Sequence, residues 1–122
     1  MIKFTKLFDN ANTGINDSWT ANGVTVTLKE LLEYIKDFPI VNKKVSKLSP
    51  YGLHKDKALD ISVENANLIY PIIVLINKDG SIKSILDGNH RLQKAINYDF
   101  PTIKTKYIKI DLLPEKYKRI FK

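Results

Sequence analysis

Ile72-Ile73-Val74-Leu75-Ile76 is a run of five apolar residues, four of them β-branched, and Asn77-Lys78-Asp79-Gly80 follows it directly. Such a run fits the pleated surface of a sheet, and an Asn/Asp/Gly cluster supplies the turn that brings the chain back. The spacing predicts a strand over 72–76, a hairpin turn, and a return strand over Ser81–Leu86. Any fold for this chain has to be built around that hairpin.

The flanking segments read as follows. Asp87-Gly88 breaks the return strand, and Asn89–Asn97 has helical spacing with Leu92, Ala95 and Ile96 inward. Pro101 precedes an alternating strand over Thr102–Ile110. Leu113-Pro114 opens a short basic helix, with proline in a first-turn position where its missing N–H costs nothing. Upstream, Thr27 and Glu30 form a capping-box pair ahead of Leu28, Leu31, Leu32 and Ile35, and Pro39 closes that helix. Val41–Leu48 is expected to be a strand with solvated lysines, Ser49-Pro50-Tyr51-Gly52 a turn, and Ser62–Ile69 a short helix stopped before Pro71. Residues 9–23 are rich in Asn, Asp and Gly and read as a long loop or arm. Trp19 lies inside it, as a base-stacking ring or as a plug pinning the loop to the core; we take it as the plug. The order is α, β, short α, β-hairpin, α, β, α: a small α+β domain with no internal repeat.

Composition bounds the function. At 122 residues, 43% apolar and 27% charged, the chain is expected to form one globular domain over 1–122. It has no cysteine, which excludes disulfides, thiolate metal sites and thiol nucleophiles. No apolar run reaches the roughly 18–20 residues that cross a bilayer, and the start MIKFTKLFDN is not an apolar secretory block. The expectation is a cytoplasmic protein with no membrane partner. The formal charge of +7 points to a polyanion, whether nucleic acid, nucleotide or phosphorylated substrate. Against nucleic acid stands the choice of cation: only Arg91 and Arg119 are arginines among 20 basic residues. An AT-rich coding composition accounts for the lysines equally well.

The stretch that carries chemistry is Ile85-Leu86-Asp87-Gly88-Asn89-His90-Arg91-Leu92. A strand ends, a glycine turns the chain, and a helix begins with free backbone N–H groups, which makes an anion site. His90 and Arg91 are cations at the positive end of a helix, and something negative nearby would resolve that conflict. Arg91 can clamp a phosphate, His90 can donate to a phosphate oxygen or act as acid or base, and Asp87 can hold a metal ion or orient a hydroxyl. The local alternative is that Asp87 or Asn89 caps the helix and Arg91 pairs with a carboxylate. Among weaker features, His54 and His90 lack metal-ligand spacing. Lys104, Lys106, Lys109, Lys116, Lys118 and Arg119 form either a basic flank or a solvated face. Tyr51 and Tyr98 are either base-stacking rings or boundary packing.

PIIVLINKDGSIKSILDGNHRLQKAI followed by FPTIKTKYIKI resembles the core of the ParB/sulfiredoxin superfamily over about residues 69–110, and more loosely from Thr27 to Leu48. The resemblance implies a ParB/sulfiredoxin-like fold with a mixed sheet, a β-hairpin and a strand–turn–helix phosphate site. It implies nucleotide phosphates, with Mg²⁺, at Gly88, Asn89, His90 and Arg91, with Asp87 and His90 catalytic. Asn89 stands where sulfiredoxins place their cysteine, so that activity is excluded. Free-serine kinases are similar in their Asp-Gly before the His-containing turn, matched here by Asp87. Their second carboxylate would fall to Glu30, Asp60 or Glu64. Partition proteins carry an upstream arginine-rich motif and a downstream DNA-binding domain, and neither is found in this sequence.

Three functions follow as expectations. The first is a nucleotide-dependent phosphotransferase or hydrolase. The second is a binding module for a nucleotide or phosphorylated small molecule, for DNA or for a host protein, as in small phage accessory proteins, which would place it in the host cytoplasm. The third is a nuclease. An upstream carboxylate reaching Asp87 and His90 would favour phosphotransfer; its absence would favour binding.

Overall fold

Every residue of the strand Ile72–Ile76 (β4) is buried, because the strand has packing on both faces. Side chains alternate across a strand, so Ile73 and Leu75 join one apolar cluster while Ile72, Val74 and Ile76 join another. Each such side chain contributes roughly 1.5–3 kcal/mol through burial, which makes β4 the spine of the fold. The computed structural model describes residues 18–52 and 61–121.

β4 lies in a four-stranded mixed sheet with Val41–Lys44 (β3), Ile82–Asp87 (β5) and Thr102–Lys109 (β6), in the order β3-β6-β4-β5. β4 and β5 form the expected antiparallel hairpin, closed by Asn77-Lys78-Asp79-Gly80 with Gly80 at φ +92°. β6 runs parallel to β4 and antiparallel to β3, with Lys106 beside Ile73.

One face of the sheet is covered by Leu28–Tyr34 (α1) and Glu115–Phe121 (α5). Leu28, Leu31, Leu32 and Ile35 pack there with Ile73, Leu75, Ile108, Tyr117 and Phe121. α1 opens with the capping box read from sequence: the Glu30 N–H donates to Thr27 Oγ1 at 3.0 Å, and the Thr27 N–H donates to Glu30 Oε1 at 3.1 Å. The helix ends near Tyr34, before Pro39 is reached. The other face is covered by Asn89–Asn97 (α4) and a short helix, Val45–Leu48 (α2). Leu92 and Ala95 meet Val45, Leu48, Ile72 and Val74 there.

Three sequence expectations change. Val41–Leu48 is a strand only to Lys44; Val45 and Leu48 then lie three apart on one helical face and are both buried, and that burial overrides the strand reading. The helix expected over Ser62–Ile69 is confined to Ile61–Glu64 (α3). The arm over 9–23 is a hairpin in its described part: Ser18–Ala21 (β1) pairs with Val24–Thr27 (β2). Its two-residue loop is Asn22-Gly23, both at positive φ (54° and 75°), the dipeptide that suits a tight hairpin. Trp19 is a plug, its ring edge-on to Phe121 at 5.2 Å between centroids.

Candidate functional site

The turn from β5 into α4 is shaped by Gly88. Its φ of +102° lies in the left-handed region, where a side chain is strained. A Cβ there would also come within 2.5 Å of Ile72 Cγ2. Only glycine satisfies both demands, so the sharp strand-to-helix turn and the seating of α4 on β4 depend on this one residue. From Gly88, α4 starts with no side-chain cap and no acidic residue in its first turn. The first helical bond in its ladder runs from the Leu92 N–H to the Gly88 carbonyl at 2.9 Å. The N–H groups of Asn89, His90 and Arg91 therefore have no acceptor within the helix.

Arg91 is fully buried, at 0% exposure. Its Nη2 donates to Asp87 Oδ2 at 3.0 Å and its Nη1 to the Pro71 carbonyl at 2.8 Å. The guanidinium thus ties together the end of β5, the start of α4 and the residue that leads into β4. This supplies from within the chain part of the negative charge that two cations at a helix N-terminus call for. The sequence-level alternative, Arg91 paired with a carboxylate, is what the geometry shows, and the partner is Asp87. The signal was present as the i, i+4 spacing of the two residues; the role of the Pro71 carbonyl had no sequence signal.

Asn89 and His90 are the partly exposed side chains of the turn. Asn89 Oδ1 is buried with no hydrogen-bond partner among the described residues. His90 makes no side-chain hydrogen bond to a described residue. What the turn presents is therefore a set of donors: three backbone N–H groups and an imidazole, above a buried arginine.

The structure does not bring Glu30 or Glu64 to this turn. Glu30 sits on α1, across the sheet from α4, where it closes the capping box and accepts from Lys116 Nζ at 2.7 Å. That bond, with the Thr27 N–H second, holds its carboxyl below the ordinary carboxylate range. Glu64 accepts from the Tyr98 hydroxyl at 2.6 Å. Tyr98 follows the last residue of α4, so this pair lies a helix length, roughly 13 Å, from Gly88. Hydrogen bonding to Glu64 raises the Tyr98 hydroxyl above the ordinary tyrosine range. Asp60 and His54 lie outside the described residues. Tyr51 and Tyr98 are both exposed and do not stack over the turn.

The basic run on β6 does not behave as one face. Lys106 is 9% exposed, and its Nζ donates to the Ile35 and Lys36 carbonyls, both at 3.0 Å, at the C-terminal end of α1. Alternation along β6 puts it inside, beside Ile73, so the reading of Lys106 as a solvated cation is corrected.

The turn does not fit a protein-held Mg²⁺. Such an ion is ordinarily held by one or two carboxylates besides the phosphates. The carboxylate here, Asp87, already gives one oxygen to a guanidinium whose charge opposes a second cation. Among the described residues no group of three His, Asp or Glu forms a metal cluster. No described helix is long and apolar enough to cross a membrane. Comparison with protein-family models, with curated proteins and with solved structures gives no match.

Proposed function

We propose that this chain is a ParB/sulfiredoxin-like module that binds the phosphate group of a nucleotide or a phosphorylated small molecule at Gly88, Asn89, His90 and Arg91. The observation that carries this reading is the uncapped start of α4. Three N–H groups converge beyond a left-handed glycine, with no acidic side chain in the first turn to take them. Arg91 contributes its backbone N–H and a buried positive charge rather than an exposed clamp, and His90 contributes an imidazole at the rim. The resemblance around Asp87–Arg91 points to the same atoms.

Binding is favoured over phosphotransfer. A base that takes a hydroxyl proton needs a carboxylate free to do so, and Asp87 is engaged by Arg91. Neither Glu30 nor Glu64 approaches the turn to take its place.

The test is a thermal-shift titration of the full chain with ADP, ATP, CTP, GTP and inorganic pyrophosphate, with and without Mg²⁺, repeated on His90→Glu. A phosphate compound at about 100 times its Kd is expected to stabilise the wild type by about 2.7 kcal/mol. The variant, with a carboxylate in the first turn, is expected to lose that shift. No shift with any compound, or an equal shift in the variant, would refute the reading.

A further inference from the structure

A second cavity lies on the other face of the sheet, between α1 and β6, with a volume of about 360 Å³. Leu32, Ile35, Ile40, Pro71 and Ile73 make it apolar, and Lys106 supplies a buried cation. Pockets of this kind, apolar with one or two fixed polar groups, are where small molecules bind.

The state of Lys106 says what kind of molecule fits. Burying a charge is costly unless an opposite charge meets it. Lys106 Nζ has two carbonyl acceptors, but among the described residues no carboxylate lies within ion-pair distance. Burial pushes its ammonium below the ordinary lysine range, with the more distant Asp37 opposing. Glu33, also at the cavity, is engaged at 2.8 Å by Lys36. An ammonium has three donors, and the third N–H of Lys106 has no acceptor among the described residues.

We propose that this cavity is a binding site for a small amphipathic monocarboxylate, its carboxylate on Lys106 Nζ and its hydrocarbon part against Leu32, Ile35, Ile40 and Ile73. The carboxylate supplies the missing counter-charge and the third acceptor. The volume accommodates roughly a dozen non-hydrogen atoms, at the ~30 Å³ that a water occupies in the liquid. Ile40, 52% exposed, stands at the rim. The site is independent of the phosphate reading, since it lies on the opposite face from α4.

Calorimetric titration of the full chain with octanoate, octan-1-ol and octylamine tests this. Octanoate is expected to bind at least about tenfold tighter than octan-1-ol, the size of one charged hydrogen bond, and octylamine weakest of the three. Lys106→Met keeps the length of the chain without the charge and is expected to remove the preference for octanoate. Ile40→Asp, at an exposed position that the core does not need, is expected to weaken octanoate more than octan-1-ol. Equal affinity of the wild type for octanoate and octan-1-ol, or no binding of octanoate, would overturn the proposal. So would an octanoate affinity unchanged by either substitution.

Discussion

Arg91 Nη2 donates to Asp87 Oδ2 at 3.0 Å, so the last residue of β5 and the third residue of α4 hold each other across Gly88. Nη1 on the same guanidinium takes the Pro71 carbonyl, and one buried side chain thereby fixes three segments. Removing one member of a buried pair leaves the other charge uncompensated, at a cost of about 3–5 kcal/mol. Arg91→Ala is expected to fall in that range in urea denaturation. Asp87→Asn is expected to cost less, since its amide oxygen still accepts from Nη2. The double variant is expected to be less destabilised than the two single effects added together.

Gly88 against Ile72 gives a second expectation. Gly88→Ala combines a left-handed backbone with a Cβ 2.5 Å from Ile72 Cγ2, and is expected to cost about 2–4 kcal/mol. Ile72→Ala removes the atom that the new Cβ would meet. In that background Gly88→Ala is expected to cost less by about 1 kcal/mol or more, read from the same denaturation curves. Equal costs in both backgrounds would mean that backbone strain, not the contact, is what glycine avoids.

The hairpin over Ile72–Asp87, the capping box at Thr27 and Glu30, and the helix from Asn89 were legible because each rests on local chemistry: β-branching, turn residues and apolar spacing. Val45–Leu48 was misread because its two apolar residues become helical only through packing against Leu92 and Ala95, contacts distant in sequence. Asn22-Gly23 was a readable turn signal, hidden inside a stretch rich in polar residues. At the site, the turn and its glycine were visible in the sequence. That Arg91 points inward and Lys106 lies beneath α1 was not, since both depend on which neighbours cover β4 and β6.

His90→Glu separates stability from binding. A carboxylate in the first turn interacts favourably with the positive end of α4, and an exposed position adds about 0.3–1 kcal/mol. The variant without ligand is therefore expected to melt higher than the wild type. A lower melting temperature would show that the imidazole has a structural partner.

Glu30 sets an acid limb. Its carboxyl is held below the ordinary value of 4.5, first by Lys116 and then by the Thr27 N–H. A depressed value in the folded chain means that its stabilisation is present above the unfolded value and is lost as pH falls through the folded one. The stability advantage of the wild type over Glu30→Gln is expected to shrink between about pH 5 and about pH 3. Thr27→Ala is expected to cost about 1 kcal/mol at neutral pH through loss of the cap.

Lys106 sets the opposite dependence at high pH. Burial lowers its folded value below the 10.5 of an exposed lysine, so across that interval the unfolded chain binds more protons than the folded one. Stability from this group therefore rises with pH through the interval and is lost as pH falls through the folded value. Tyr98, Tyr107 and Tyr117 act in the other sense above their ordinary value of 10.0, because the folded chain raises all three. Comparison with Lys106→Met cancels the tyrosines, which both proteins share. The stability of the wild type relative to the variant is expected to increase as pH rises toward 10, read from urea denaturation at a series of pH values. A difference that stays constant with pH would mean that the Lys106 ammonium is as well solvated in the fold as in the unfolded chain, and the cavity beside it would then hold water rather than an apolar ligand.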